Sequence, residues 1–513
     1  MIKFLKKQNI NKIISFLLCI LIMVIISIMY YKNFITELYT TDLLMSDKVY
    51  KTWFLSFGII SFLVSISTIA MLNFYKNKNF FVKYIHKFYF AVALALGLIY
   101  MVIIPLFAQS DEPAHYLRTY EISDGYLITP TKNNLKINSF ESKVVRSIYN
   151  SDKTAEYKTY EDILEIKDIN KNKGDNEELE VRAANYSVLN YFPHLIGVSI
   201  GKLFHLSPYY CGMLGRFLSL IICISLLSLG IKLLPYGKNF ASILFLSPVV
   251  LSYSASFSAD GTTIAYIFLL ISYILNLRHS KKSLDWLSYL LLTILCICVS
   301  ICKVVYLPII FMLCLIPKQC FGTTKKSIIT KIVLIIIGII SSLVWIKMCS
   351  ITVDGGGTNK WILTNPVKYL IVFVNTIFQY GYSELENIFA GNFLCHGQVN
   401  PYGIISFLFI LVALISYFNE EKNDNNKFYE NWFVILISTG IYVLINTAMY
   451  VGNTSELSNV IVGVQGRYLI PILIVFMALK TKKIITIDEK KLWITNIILN
   501  YTIMLTMIST FTI

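Results

Sequence analysis

Two adjacent carboxylates, an imidazole and a guanidinium occur within one short stretch, residues 109–118 (QSDEPAHYLR). Proline favours the first turn of a helix, so the pattern predicts a helix with Asp111 and Glu112 at its amino end, where the helix dipole favours carboxylates. Spacings of three and four residues let Asp111, His115 and Arg118 share one face. Such a group could deprotonate a hydroxyl or hold a metal ion, and its cation could bind a phosphate. The alternative is a capping carboxylate and an arginine that extends to lipid headgroups.

Other charged residues stand at the edges of apolar runs. Asp260 (SASFSADG) could be a helix N-cap or could belong to an anion-binding helix terminus. Lys303 (CKVVYLP) and Arg467 (VQGRYLIP) are candidate contacts for a lipid-linked phosphate, and ordinary headgroup contact is the alternative. Glu384 and Glu386 fit a solvated loop face better than a functional site. We therefore group Asp260, Lys303 and Arg467 with His115 and Arg118 as candidate substrate-binding residues.

The composition indicates a membrane protein. Of the 513 residues, 56% are hydrophobic and only 15% are charged, whereas soluble domains carry about 25% charged residues. The formal net charge of +15 does not indicate nucleic-acid binding, because the basic residues lie in short clusters between apolar runs. That pattern is typical of the cytoplasmic loops of membrane proteins.

About 13 runs approach the roughly 20 apolar residues that span a bilayer, which predicts an all-α polytopic membrane protein. The predicted spans are 13–31, 53–74, 88–108, 209–233, 240–256, 261–277, 284–302, 304–316, 328–348, 403–418, 432–450, 468–480 and 493–511. Residues 187–204 are interpreted as an interfacial helix, because a further span there would turn the basic loop at 278–282 outward. Two long extracytoplasmic loops result, 109–186 and 349–402.

The lysine-rich loops place the amino terminus in the cytoplasm and the 109–118 stretch outside. The chain then divides into a two-span region (1–87), a transmembrane core (88–348), the second outer loop and a carboxyl-terminal helical region (403–513). The role of the polar insert at 150–182 stays open. Cys349 and Cys395 both face outward in this topology and could pair, but the sequence does not decide it.

Five segments occur in an order that resembles the bacterial domain-of-unknown-function family 2142, across roughly residues 88–480. They are DEPAHYLRTYEISDG, NYSVLNYFPHLIG, SASFSADG, CKVVYLP and VQGRYLIP. This family is in turn similar to the GT-C glycosyltransferases, multi-spanning enzymes with an acidic motif in an early outer loop. The resemblance implies that Asp111 and Glu112 are catalytic, as base or metal ligand, and that Lys303 and Arg467 contact phosphate.

The expected function is therefore transfer of a sugar from a polyprenyl-phosphate donor to a cell-surface glycan or polymer, on the extracytoplasmic face of a bacterial cell membrane. A divalent metal, magnesium or manganese, is a candidate cofactor with Asp111 and Glu112 as its ligands. A transporter or flippase of a lipid-linked sugar is an alternative, as is a non-catalytic subunit for cell-envelope assembly. Most predicted spans have no charged residue at mid-depth, which disfavours coupled transport.

Overall fold

The structure is a computed structural model, and it describes most of the chain. The described residues are 2–40, 47–75, 78–129, 134–138, 176–180, 183–349, 359–390, 399, 401–420, 428–455, 458–479 and 482–512. Their regular secondary structure is helical apart from an antiparallel ribbon of β1 (Asn134–Asn138) and β2 (Asn176–Glu180), in which Asn134 lies opposite Glu180. Cys395 and nearly all of the polar insert at 150–182 lie outside the described residues.

The helices follow one another along the whole chain. In order they are α1 (Ile2–Thr40), α2 (Asp47–Phe74), α3 (Lys78–Lys83), α4 (Ile85–Ile103), α5 (Glu112–Ser123), α6 (Val188–Leu203), α7 (Pro208–Leu233), α8 (Lys238–Phe245), α9 (Pro248–Ser254), α10 (Ala259–Ser280), α11 (Trp286–Cys302), α12 (Thr324–Met348), α13 (Asn359–Thr364), α14 (Pro366–Glu386), α15 (Gly403–Phe418), α16 (Phe428–Asn453), α17 (Ile470–Phe476) and α18 (Glu489–Thr512). Three 3₁₀ segments, Val304–Leu315, Lys318–Phe321 and Gly466–Leu469, complete the described helical structure.

The fold confirms a polytopic membrane protein. Among the described residues, eight helices are long and apolar enough to cross a membrane: α1, α2, α4, α7, α10, α12, α16 and α18. Four shorter apolar helical segments, Trp286–Cys302, Val304–Leu315, Gly403–Phe418 and Gly466–Phe476, fall near further predicted spans. Helices α10 and α18 are mostly buried, whereas α1 exposes large aliphatic side chains along its length, as a helix facing lipid does.

The predicted span at 240–256 is not one continuous helix, because the chain breaks there between α8 and α9. Pro248 cannot donate a backbone hydrogen bond, and it disfavours helical geometry at the preceding residue. Two asparagine amides of α18 satisfy carbonyl groups on the α8 side of the break: Asn500 Nδ2 donates to Leu246 O (2.9 Å), and Asn496 Nδ2 donates to Ile243 O (3.4 Å). A broken helix is tolerated inside a membrane protein where neighbouring groups satisfy its backbone in this way.

Helix α6, which corresponds to the segment interpreted as interfacial, packs closely on α7. A Cβ atom on Gly197 would lie 2.4 Å from the carbonyl oxygen of Leu214, which is shorter than a Cβ atom tolerates. Glycine therefore allows the two backbones to approach. Because α6 also contacts α5 and α10, this close approach sets the position of residues on three neighbouring helices.

Replacing Gly197 tests that packing. We expect Gly197→Ala to lower the free energy of unfolding by about 1–3 kcal/mol, because the methyl group forces the backbones apart. The matched control is Gly440→Ala in α16, where nothing lies within 4 Å of the added Cβ. It should be neutral or stabilise by up to about 1 kcal/mol, since alanine is the better helix former. Denaturant unfolding in detergent measures both, and equal stabilities would contradict the packing argument.

Candidate functional site

Four charged side chains from distant parts of the sequence meet at one end of the helical bundle. Arg467 Nη2 donates to Asp111 Oδ2 (2.9 Å), and Arg467 Nε donates to Asp260 Oδ2 (2.6 Å). Lys303 Nζ forms an ion pair with the other oxygen of Asp260. We call Asp111, Asp260, Lys303 and Arg467 the ion-pair cluster. Its formal charges sum to zero, and each cation contacts at least one carboxylate.

Asp111 is the accessible carboxylate of the ion-pair cluster. Its side chain is 49% exposed, whereas that of Arg467 is 4% exposed. Asp111 precedes α5 with left-handed backbone geometry (φ 62°), and its carboxylate makes no capping hydrogen bond to the helix. Burial would raise the pKa of Asp111, but the Arg467 guanidinium opposes it and the pKa lies below its ordinary value. The carboxylate is therefore ionised at neutral pH and points into the site.

Asp260 lies in the first turn of α10 but is not the N-cap. Ser258 is the N-cap, and its side chain accepts a hydrogen bond from the Asp260 N–H (3.0 Å). The capping alternative for Asp260 is therefore wrong, and its carboxylate instead joins Lys303 and Arg467. The Asp260 carboxylate raises the pKa of Lys303 well above its ordinary value although burial alone would lower it, so the ammonium group stays charged.

Tyrosine rings surround the two cations. The guanidinium carbon of Arg467 lies 4.4 Å from the ring centroid of Tyr253, and the Lys303 Nζ lies 4.3 Å from that of Tyr468. Arg467 Nη1 also donates to the Tyr253 hydroxyl. Aromatic faces attract cations, so the rings help to hold the two charged groups in place.

Glu112, the neighbour of Asp111, has a different environment. It is fully buried, and its two oxygens accept hydrogen bonds from Arg216 Nε (2.7 Å) and Arg216 Nη2 (2.5 Å). The backbone N–H groups of Phe107 and Phe257 donate to the same carboxylate, each at 2.9 Å. The other N–H groups of Arg216 donate to backbone carbonyls in the last turn of α4 and just after it, including Ile104 O (2.8 Å). Glu112 thus holds the chain on both sides of Asp111.

His115 and Arg118 also bind to protein groups around the site. The Nδ1 atom of His115 shares a hydrogen bond with the Tyr191 hydroxyl (2.6 Å), and burial lowers the His115 pKa to about 4. Arg118 donates to Glu121 Oε2 (2.5 Å) and to the carbonyl oxygen of Leu127 (2.7 Å). Its guanidinium therefore fixes the segment after α5, away from the ion-pair cluster.

The other predicted candidates are not in the ion-pair cluster. Glu384 is buried in α14 and accepts a hydrogen bond from the Tyr442 hydroxyl (3.0 Å), so it does not lie on a solvated loop face. Cys349 is a free, buried cysteine.

No group of three His, Cys, Asp or Glu residues suited to a metal ion occurs among the described residues. Because Glu112 is enclosed by donors, it does not chelate an ion together with Asp111, and we derive no step through a metal.

A close backbone contact positions Arg467. A Cβ atom on Gly466 would lie 2.2 Å from the carbonyl carbon of Asn387, so only glycine lets the 3₁₀ segment Gly466–Leu469 approach the end of α14. Asn190 of α6 gives similar support to Lys303, because its amide donates to Thr263 Oγ1 (3.0 Å) and to the carbonyl oxygen of Cys302 (3.3 Å). The site therefore rests on packing as well as on its own ion pairs.

Sequence reasoning missed two residues that build the site, Arg216 and Asn190. A signal existed for Arg216, which is the one charged residue in the predicted span 209–233 apart from Lys232 near its end. An ionisable residue within a span normally has a buried partner. Asn190 lies in the segment NYSVLNYFPHLIG, but its contacts with two other helices could not be read from the sequence.

These features define an all-α polytopic membrane protein with a buried ion-pair cluster at one end of its bundle. The family model described as Predicted membrane protein (DUF2142) matches residues 94–476. The chain belongs to this family, the same domain-of-unknown-function family 2142 that the sequence motifs resemble. No curated protein and no solved structure matches the chain.

The free energy of unfolding of variants tests whether Glu112 and Arg216 form a buried ion pair. We expect Arg216→Met to lower the free energy of unfolding by about 3–5 kcal/mol, because it leaves the Glu112 carboxylate buried without its cation. The double variant Glu112→Gln with Arg216→Met should regain part of that loss, because it removes the unpaired charge and keeps an oxygen that can accept from the backbone N–H groups. Denaturant unfolding in detergent provides the measurement, and a double variant less stable than Arg216→Met would contradict the assignment.

The pKa values of the two buried histidines lead us to expect that the free energy of unfolding depends on pH. Burial lowers the pKa of His194 to about 4, as it does for His115, against an ordinary value of 6.5. The unfolded chain therefore binds more protons than the folded chain between pH 6.5 and pH 4, so stability falls as pH falls through that window. The expected loss from pH 7 to pH 5 is about 2 kcal/mol for each histidine.

Unfolding measured at pH 7, 6 and 5 tests this dependence. The double variant His115→Gln with His194→Gln should show a smaller loss of stability over the same interval. His279→Gln, at an exposed position near the end of α10, should keep the slope of the unsubstituted protein. A double variant with an unchanged slope would mean that other groups cause the acid sensitivity.

Proposed function

We propose that the protein is a membrane glycosyltransferase that moves a sugar from a polyprenyl-phosphate donor to a cell-surface glycan or polymer. The observation that carries the proposal is the ion-pair cluster, in which an exposed carboxylate lies beside two cations. A transferase of this kind needs a base for the acceptor hydroxyl and positive charge for the departing phosphate. Asp111 fits the first requirement, and Lys303 and Arg467 fit the second.

A cavity next to the ion-pair cluster suits the lipid part of such a donor. It has a volume of about 570 Å³ and is lined by Lys303 at a polar end, by aromatic residues such as Trp345 and Tyr468, and by aliphatic residues such as Ile445 and Met449. A cation at one end of a largely apolar cavity complements a phosphate attached to a hydrocarbon chain. The Tyr186 and Tyr306 side chains also line this cavity.

The proposed reaction uses the chain's own groups in a simple order. The donor phosphate binds Lys303 and Arg467 in competition with the carboxylates, which releases Asp111 from Arg467. Asp111 then accepts the proton of the acceptor hydroxyl as its oxygen attacks the anomeric carbon. The bond from that carbon to the phosphate oxygen breaks, and the polyprenyl phosphate departs with the electron pair. One displacement inverts the configuration at the anomeric carbon.

The remaining candidates support this reaction as positioning residues. Glu112 and Arg216 hold the backbone on either side of Asp111, and Asp260 holds both cations. His115 is neutral at physiological pH, so it is not a third cation that would draw the phosphate away from Lys303 and Arg467. Arg118 fixes the segment that follows α5. The orientation expected from the lysine-rich loops, with this end of the bundle outside the cell, is part of the proposal.

Transport of a lipid-linked sugar is the second candidate, and the break between α8 and α9 is the observation that favours it. Many transporters bind substrates at broken helices near mid-membrane. At this break, however, the Asn496 and Asn500 amides already bind carbonyls of α8. Lys303 and Arg467 lie at one end of the bundle, away from this break, which favours chemistry at the membrane surface.

Sugar analysis of surface polymers tests the function. We expect one sugar to disappear when the protein is deleted and to return with the unsubstituted protein. Asp111→Asn, expressed at the normal level, should lower transfer by about 10²-fold or more, since a general base contributes that much. Lys303→Met should also fail to restore the sugar.

The matched control is Asp124→Asn. Asp124 follows α5 and pairs with Lys202 outside the ion-pair cluster (2.7 Å), so this variant should restore the sugar fully. Full restoration by Asp111→Asn would reject the transferase and favour a non-catalytic assembly role or transport. A donor-dependent transfer assay with purified protein in liposomes separates the two, because transport leaves the donor's sugar–phosphate bond intact.

A further inference from the structure

We propose that the end of the bundle opposite the ion-pair cluster binds one aminophospholipid, with an ethanolamine headgroup and one acyl chain held inside the protein. Two neighbouring cavities carry this inference, one polar and one apolar. The polar pocket has a volume of about 430 Å³, and the apolar cavity has a volume of about 310 Å³. Neither belongs to the proposed transferase site, and the inference does not depend on that function.

The polar pocket lies at the far end of the molecule from the ion-pair cluster. Ile85, at the start of α4, lines the polar pocket, whereas Ile104, just after α4, contributes the carbonyl that binds Arg216 near the ion-pair cluster. Helix α4 has 19 residues, so about 28 Å separates its ends. That length is close to the thickness of the hydrocarbon core, which places the two sites at opposite membrane surfaces.

The polar pocket carries charges of both signs. Its polar lining consists of Lys238, Lys483, Glu420, Glu489, Asn239 and Asn419. Two lysines complement a phosphate, and two carboxylates complement an ammonium group. A headgroup that contains both charges therefore matches the lining better than an anionic headgroup does. An ethanolamine group also has N–H donors for the carboxylates, which the quaternary ammonium of choline lacks.

The two asparagines form a fixed floor for this pocket. Asn419 Nδ2 donates to the carbonyl oxygen of Ile487 and its Oδ1 accepts from the Ile487 N–H, both at 2.9 Å. Asn239 Nδ2 donates to Ser416 Oγ (2.9 Å), and its Oδ1 accepts from Trp493 Nε1 (2.8 Å). The pocket is therefore built from groups whose own hydrogen bonds hold their orientation.

The apolar cavity lies beside the polar pocket, since consecutive residues of the chain line one and then the other. Asn239 and Asn419 line the polar pocket, and the adjacent residues Phe240 and Phe418 line the apolar cavity. Further residues on successive turns of α15, including Ile410 and Ala413, extend the apolar lining. An empty apolar cavity destabilises a fold in proportion to its volume. A hydrocarbon chain restores the missing contacts, so a lipid fits the pair of cavities.

Native mass spectrometry of the full-length protein tests the proposal. The purified chain is delipidated in detergent and incubated with dioleoyl phosphatidylethanolamine, phosphatidylcholine or phosphatidylglycerol at equal concentration. We expect one molecule of the ethanolamine lipid to be retained, with at least about tenfold weaker retention of the other two. Equal or tighter retention of phosphatidylglycerol or phosphatidylcholine would overturn the headgroup assignment.

Two kinds of variant test the contacts to the lipid headgroup and the contacts to the acyl chain separately. Lys238→Gln with Lys483→Gln removes the phosphate contacts, and Ala413→Phe fills the apolar cavity without changing charge. Each should lower retention about tenfold or more. The matched controls are Lys281→Gln with Lys282→Gln, two lysines after α10, and Leu411→Phe on the more exposed face of α15. Both should retain the lipid, and thermal unfolding checks that each variant is folded.

A soluble probe distinguishes a lipid from a small phosphate compound. Glycerophosphoethanolamine should compete only weakly with the lipid, because it lacks the acyl chain. If it binds as tightly as the lipid, and equally to Ala413→Phe, the occupant is a soluble ligand and the proposal fails. Retention by both kinds of variant at the level of the unsubstituted protein would also reject it. If one variant does not fold, retention by the other variant and the comparison of the three lipids test the proposal.

Discussion

The buried ion pair between Glu112 and Arg216 is the interaction on which the site depends. Both side chains are fully buried, and together they join α7, which carries Arg216, to backbone groups in the connection between α4 and α5 and in the segment before α10. Removing both charges from water is costly unless every donor and acceptor is satisfied. Here both Glu112 oxygens accept hydrogen bonds, and the Arg216 guanidinium donates to Glu112 and to backbone carbonyls. The pair therefore specifies how three chain segments meet. Asp111 has left-handed geometry beside this junction, and its carboxylate accepts from Arg467 and does not cap α5.

The ion-pair cluster combines fixed groups with one accessible group. Asp260 and Arg467 are buried, and Lys303 is nearly so, whereas about half of the Asp111 side chain is exposed. Tyrosine rings, the Asn190 amide and the close approach at Gly466 hold the cations without occupying all of their donors. Such support fixes the positions of the two cations, so that in the proposed reaction only their carboxylate partners have to change. It also explains why a chain with so few charged residues concentrates four of them in one place.

The charged residues of the site could be predicted from the sequence, but their meeting at one place could not. Asp111, Asp260, Lys303 and Arg467 were each recognisable as a charge at the edge of an apolar run. Their convergence depends on contacts between residues as many as 356 positions apart, which periodicity and spacing do not encode. The different roles of adjacent Asp111 and Glu112 follow from one backbone angle and from Arg216. The break at Pro248 was readable in principle, but the surrounding apolar run dominated the prediction of a single span.

The zero net charge of the ion-pair cluster has a consequence for how a ligand arrives. Opposite charges a few ångströms apart cancel at a distance, so the cluster produces little long-range field and does not steer anions from solution. In the proposed reaction, the donor phosphate must therefore come into direct contact before Arg467 and Lys303 can exchange their carboxylate partners for it. Encounter by diffusion within the plane of the bilayer achieves this, because it confines the ligand to the depth of the cluster. The rate of encounter should then depend on membrane fluidity and lateral concentration, and only weakly on ionic strength.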